Sequence, residues 1–321
     1  MQIKRFINIH TILLLVFLLA IGGAVYRINN WGEKVDPDQI ESEGDTMDVM
    51  DLILPVMDEK GNVLETPSEI STIVCFGNAP FADDRDSKDS LANMIAERTG
   101  ATVYNCSIGK SYLMAYHSTL NPSIAPLDSY NFYWLTQLAV KAPDLTDKCA
   151  ETDALLGEDA DPAAQGVCDT LLALDFSTVD VVVIMYDAAD YLAGNGIYNI
   201  GNDTDIEYFT GNLEAGIELL QNNYPTIRII VMSPTYAFGV DENGNYVSSD
   251  IQTYGQDVLS TYSIKECDSC FHRSVTFIDH LYGTINEDNA ADYLIDNRRL
   301  NVAGRELVAD RFVDALYYFQ R

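Results

Sequence analysis

Residues 73–84 read Ile-Val-Cys-Phe-Gly-Asn-Ala-Pro-Phe-Ala-Asp-Asp. Ile73 to Phe76 run without a polar break into Gly77, and a turn-forming Asn-Ala-Pro follows. A continuous apolar run that stops at a glycine is the pattern of a strand buried on both faces, not of one with a wet side. Strands of that kind belong to parallel sheets covered by helices. Ligands there bind outside the carboxyl ends, where the connecting loops converge. Gly77-Asn78-Ala79 therefore sits where chemistry is expected, yet Ala79 supplies a methyl group and no nucleophile.

The same rhythm repeats outward from this stretch. Apolar, β-branched runs predict strands over 72–76, 102–105, 179–186, 228–232 and 275–279. Amphipathic stretches predict helices near 87–98, 206–223, 249–263 and 303–319. Buried strands alternating with helices imply a three-layer α/β/α fold with a five-stranded parallel sheet, flavodoxin-like in plan, over residues 70–321. Residues 116–174 break the rhythm with prolines, an acidic run from Gly157 to Pro162 and the aromatics Tyr130, Phe132, Tyr133 and Trp134. This segment reads as a helical insertion capping the sheet. Its aromatics suit packing inside the insertion, with a sugar-binding platform as the alternative.

Four segments fall at predicted strand ends or before the last helix: Val74–Asp84, Tyr104–Lys110, Tyr186–Asp190 and Asp296–Asn301. In order and spacing they resemble the conserved blocks of the SGNH (GDSL-type) hydrolases, over about 250 residues of this chain. The resemblance implies an esterase frame with a serine nucleophile, a glycine and an asparagine holding the oxyanion, and a histidine base oriented by an aspartate. On this sequence the serine falls on Ala79. The glycine falls on Lys110, or on Gly109 with a one-residue slip. The asparagine falls on Ala189 and the histidine on Arg299, while the aspartate is kept as Asp296. The resemblance marks Asn78, Asp84, Asn105, Asp187, Asp190, Asp296 and Arg299 as the residues that line the site.

Those replacements decide against serine catalysis. An arginine stays protonated near neutral pH and cannot take a proton from a nucleophile. Loss of one oxyanion donor costs about 100- to 1000-fold in rate, and loss of the nucleophile removes the acyl-enzyme route. Ser107 and Ser111 lie near the second block without a histidine beside them. His117, in the insertion, and His280, after the fifth strand, read as structural residues. Asp83, Asp84, Asp187, Asp190 and Asp296 offer carboxylates for acid–base work, but no spacing pairs them. The replacements carry a second implication. Lys110 and Arg299 bring positive charge among Asp84, Asp187, Asp190 and Asp296, so an ion-paired network is expected to fill the former cleft.

The remainder of the chain bounds the setting. Residues 6–26 read FINIHTILLLVFLLAIGGAVY after Lys4 and Arg5, the length and flank of a membrane-spanning signal anchor, with a cleaved signal peptide as the alternative. A short cytoplasmic tail, 1–5, would precede it. Twelve acids against Lys34 and Lys60 between Glu33 and Glu69 make 27–69 an acidic stalk, with a short β extension in its later part. A formal charge of −30 disfavours nucleic acid as a partner. Cys149 and Cys168 flank the acidic insertion loop and suit a disulfide, and Cys75 and Cys106 are expected as buried thiols. Cys267-Asp-Ser-Cys270 with His272 resembles half of a zinc site whose second half is absent, so no metal or cofactor is expected. The sequence thus favours a membrane-anchored, extracytoplasmic binding pseudoenzyme for a glycan or envelope component. The alternatives are a hydrolase or acyltransferase on carbohydrate or lipid esters with non-standard residues, and a spacer module.

Overall fold

Five parallel strands make the sheet: β1 (Thr72–Gly77), β2 (Thr102–Asn105), β3 (Val181–Met185), β4 (Arg228–Met232) and β5 (Thr276–Ile278), in the order β2-β1-β3-β4-β5. The computed structural model describes residues 49–58, 60–64 and 69–320. Every residue of β3 and β4 is buried, as the apolar runs Val181–Met185 and Ile229–Met232 demand; β4 opens on buried Arg228. Each fully buried valine or isoleucine contributes about 1.5–3 kcal/mol relative to exposure. In the central pair, Gly77 lies level with Met185, and a side chain at Gly77 would meet the Met185 carbonyl oxygen at 2.0 Å. Only glycine lets the first loop leave the sheet this close to β3.

Helices α1 (Leu91–Thr99) and α7 (Val302–Leu316) pack together, as do α5 (Phe209–Asn223) and α6 (Leu259–Arg273), giving the two helical layers of the three-layer fold. Helix α6 corrects the expected 249–263. Residues 249–258 form a loop in which Gly255 takes φ +90°, a conformation no helix contains, and the amphipathic stripe continues instead to Cys270.

The insertion carries α2 (Phe132–Ala139), α3 (Lys148–Leu156) and α4 (Ala164–Ala173). A Cys149–Cys168 disulfide joins α3 to α4, whereas Cys75, Cys106, Cys267 and Cys270 are free thiols. Two of its four aromatics turn fully inward, and Tyr133 and Trp134 are half-buried. Tyr130 and Phe132 are fully buried, Trp134 packs on the core, and the Tyr130 hydroxyl donates to Asp153. Phe132 lies against Gly216 of α5, where a Cβ would come within 2.4 Å of its ring. Tyr130 and Phe132 hold the insertion to the fold, while half-buried Tyr133 packs edge-to-face on Trp134 at 5.0 Å.

The later part of the acidic segment is ordered against the sheet. Leu52 exchanges both backbone hydrogen bonds with Phe277 of β5, at 2.9 and 2.8 Å, as an antiparallel strap. Met50 N–H donates to Asp279 at 3.1 Å, Leu54 N–H to Thr276 Oγ1 at 3.2 Å, and Arg311 pairs with Asp51 at 2.8 Å. The strap covers an edge whose unpaired amides would otherwise face water. A boundary at residue 70 therefore cuts into this folded region, and a stalk extending to 69 is corrected at its carboxyl-terminal end. The tail 1–5, the span 6–26 and stalk residues 27–48 lie outside the described residues. Among the described residues no helix is long and apolar enough to cross a membrane.

Candidate functional site

At the carboxyl ends of β1, β2 and β3, three loops are tied together by one buried amide. The Asn78 side chain donates from Nδ2 to the Ser111 carbonyl at 3.0 Å and to Asp187 Oδ1 at 2.8 Å. Its Oδ1 accepts the Asp187 N–H at 2.8 Å. Asn78 thus links the first, second and third motif segments. Ala79, the next residue, opens a four-residue helix (Ala79–Ala82) with Pro80 in its first turn. Asn105 is equally structural. It donates to the Phe81 carbonyl at 2.8 Å and accepts the Ser107 hydroxyl at 2.6 Å.

Asp187 is the charged floor of the cleft. Its side chain is 3% exposed, and Arg298 grips both carboxylate oxygens from Nη1, at 3.0 and 2.8 Å. Burial pushes the Asp187 pKa up, opposed by Arg298, Asn78 and the Ala189 N–H. Arg298 sits in the last motif segment, 111 residues away, and sequence reasoning passed over it as a spacer position. Its signal was available only as a second arginine beside Arg299, in a chain short of bases.

Arg299 takes the rim. Its Nε binds Asp296 at 2.7 Å, and its Nη1 lies 3.8 Å from Asp83. Burial works against ionised Asp296, but the Arg298 and Arg299 amides and the Arg299 side chain win and hold its pKa below the usual carboxylate value. Asp83, an acid–base candidate in the sequence though not among the expected lining residues, has its pKa raised by burial against the pull of Arg299 and Arg305. Asn301 accepts the Gly304 N–H at 2.9 Å, capping α7 and fixing the segment's exit angle.

The expected network of six groups forms only in part. Asp84 pairs with fully buried Arg305 at 2.6 Å, a cation absent from the sequence reading. Asp190 meets no cation among the described residues. Its carboxylate accepts the Leu113 and Met114 amides at 2.8 and 3.4 Å and Asn195 Nδ2 at 2.8 Å, and burial pushes its pKa to about 6. Lys110 is exposed and reaches only the Asp159 carbonyl, at 3.4 Å. Its φ of +61° is the left-handed turn a glycine favours, whereas Gly109 has no such φ. Gly109 N–H instead donates to Asp161 of the insertion at 2.5 Å. Three separate arginine–aspartate clusters therefore replace the single expected network, with Arg298 and Arg305 in the role assigned to Lys110.

The remaining nucleophile and base candidates are occupied. Ser107 and Ser111 are fully buried, and Ser111 Oγ donates to the Ile108 carbonyl at 2.7 Å. His280 is fully buried, its Nδ1 is 2.8 Å from Thr284 Oγ1, and burial lowers its pKa to about 3. His117 is exposed, with its N–H on Asp128 at 3.0 Å. Among the described residues no group of three or more metal-binding side chains comes together.

No family model matches the chain, and no curated protein matches it. Solved structures do. One shares 18% identity with a TM-score of 0.54, covering 79% of this chain and 99% of its own. A protein from Lactobacillus plantarum shares 15% identity with a TM-score of 0.53, over 78% of this chain and 99% of its own. A carbohydrate acetylesterase from Sinorhizobium meliloti shares 10% identity with a TM-score of 0.45, over 78% and 99%. These likenesses concern the fold alone.

Proposed function

We propose that the domain is a non-catalytic binding protein on a hydrolase frame, a pseudoenzyme that recognises a glycan or another envelope component outside the cytoplasm. One observation carries this reading. Ala79 occupies the family's nucleophile position, and the cleft floor beside it is a buried Asp187–Arg298 pair with contacts of 3.0 and 2.8 Å. A buried pair of this kind is costly to break, because the surviving charge is left without water or partner. In this reading the span 6–26 holds the chain in the membrane, and the charge of −30 keeps nucleic acid away.

One observation favours the second reading, a hydrolase or acyltransferase on carbohydrate or lipid esters with non-standard residues. Asp83 lies on the cleft rim with a raised pKa, the property a general acid–base group needs.

Incubation with short-chain nitrophenyl esters and acetylated sugars separates the two. Wild type, Asp83→Asn and the double variant Ala79→Ser/Arg299→His are expected to show no turnover, and the double variant to be less stable. Wild-type hydrolysis abolished in Asp83→Asn would establish the second reading. Ester hydrolysis restored in the double variant would overturn the rebuilt cleft. A glycan array on the same protein then divides a binder from a spacer.

A further inference from the structure

A shallow hollow of about 260 Å³ lies on the outer face of α5, and no residue of the motif segments lines it. Its floor is Ala215 and Leu219, flanked by Glu218 and Asn222, four residues that share one stripe of α5 at helical spacing. Tyr133 of α2 makes one wall, and Thr204 and Ile206, from the loop before α5, make another. The volume lies just below the roughly 300–1,000 Å³ of drug-sized sites, so it suits a single ring.

One buried amide fixes these walls. Asn212 of α5 is fully buried; its Oδ1 accepts the Tyr133 N–H at 2.9 Å, and its Nδ2 donates to the Ile206 carbonyl at 3.3 Å. Helix α2, helix α5 and the loop therefore hold one geometry around the hollow. Trp134 braces the Tyr133 ring edge-to-face, and Arg273, itself also held by Glu214, grips Glu218 Oε2 at 3.0 Å. Walls set before a ligand arrives reduce the ordering cost of binding. The polar groups left open suit hydroxyls. The half-buried Tyr133 and exposed Asn222 side chains make no hydrogen bond among the described residues. The Thr204 hydroxyl donates to Asn202 Oδ1 at 3.2 Å and keeps its own lone pairs. A phenol ring offers a face to C–H groups, while an amide gives and accepts hydrogen bonds and a carboxylate accepts them. Among the described residues no lysine or arginine lines the hollow, and Glu218 repels an anion in a chain of charge −30.

We propose that this hollow binds one uncharged pyranose ring of a glycan, its C–H face on Tyr133 and its hydroxyls towards Asn222, Glu218 and Thr204. The site is separate from the cleft and rests on the glycan reading only for the class of ligand.

Titration calorimetry on the full chain tests it, with cellohexaose and chitohexaose as neutral probes and hexagalacturonate as the anionic one. Saturable binding of a neutral hexamer is expected, at least 10-fold tighter than that of hexagalacturonate. Tyr133→Ala should weaken it at least 10-fold and Asn222→Ala at least 3-fold, whereas Tyr133→Phe keeps the ring and should lose less than 3-fold. Asn222 is exposed on α5, so its variant carries the test if Tyr133→Ala does not fold. Binding unchanged in Tyr133→Ala and Asn222→Ala overturns the site. If that binding is lost in Arg299→Ala instead, the ligand lies in the cleft and the glycan reading stands without the hollow. Hexagalacturonate binding as tightly as the neutral hexamers overturns the uncharged ligand. No saturable binding of either neutral hexamer overturns the site and the glycan class together.

Discussion

The two ends of this sheet treat arginine in opposite ways. At the carboxyl ends, Arg298, Arg299 and Arg305 each meet a carboxylate, at 2.8, 2.7 and 2.6 Å. At the amino ends, near a cavity of about 680 Å³, Arg228 donates to helix carbonyls, lies 5.9 Å over the Phe319 ring and meets no carboxylate among the described residues. A parallel sheet places its ligand site at the carboxyl ends, so the closed end is the one where chemistry is expected. The fold's preferred site and the chain's open space have come apart. Closure at the first end follows from Coulomb's law as much as from sterics. Once Asp187 is buried there, a partnering cation is what keeps it charged, and that cation occupies the cleft.

The sharpest way to break this comparison is to remove Arg298. Arg298→Met should destabilise the domain by about 3 kcal/mol, the lower end for an uncompensated buried charge because Arg298 is itself partly exposed. Urea unfolding at pH 7 reads it directly. The loss should shrink as pH falls, because the pKa of Asp187, already raised by burial, rises further without Arg298 and lets the stranded carboxylate take a proton. A loss below about 1 kcal/mol at pH 7 means the pair does not lock the cleft.

Asp190 sharpens the contrast from within the closed end, because it is buried with no cation beside it among the described residues. Its pKa of about 6 lies above the ordinary 3.8. A carboxyl raised on folding contributes stability that is fully present below the unfolded pKa and lost as pH rises through the folded one. Wild type should therefore lose on the order of 2 to 3 kcal/mol between pH 4 and pH 7 from this group. Asp190→Asn keeps an oxygen for the Leu113 amide and should flatten that slope. Parallel melting profiles for the two proteins over this range would remove Asp190 from the account.

The sheet was legible in the sequence because strands buried on both faces cannot alternate, and the predicted 102–105 and 228–232 match β2 and β4 residue for residue. Three of the motif segments were legible because each begins in or follows such a strand, and the fourth because it precedes the last helix. Helix α6 was misplaced by ten residues because Ser249–Gly255 carries enough apolar residues to mimic a first helical turn. The direction of the insertion aromatics was left to packing, and Gly216 shows why: one missing side chain on α5 admits Phe132. The cations at the cleft were the least legible part. The Asp187–Arg298 and Asp84–Arg305 pairs span 111 and 221 residues, and no local pattern encodes such partners. The amino-end cavity was hidden for a similar reason, since its wall comes from an acidic segment that reads as stalk.

The smallest expected effect separates the floor of the cleft from its rim. Arg299 is where the SGNH resemblance expects the base, yet its side chain is 43% exposed. Its pairs with Asp296 at 2.7 Å and Asp83 at 3.8 Å lie in water's reach. Pairs of that exposure are screened and typically contribute about 0.5 kcal/mol or less. Arg299→Ala should therefore change urea stability by no more than about 0.5 kcal/mol, and the change should fade further in 0.5 M salt. If it instead matched Arg298→Met, the rim would be as essential as the floor and the closure would be one cooperative network. A small value puts the closure in Arg298 and Arg305, the two arginines that no family motif marks. It also leaves Arg299 as an exposed guanidinium, free to meet a ligand.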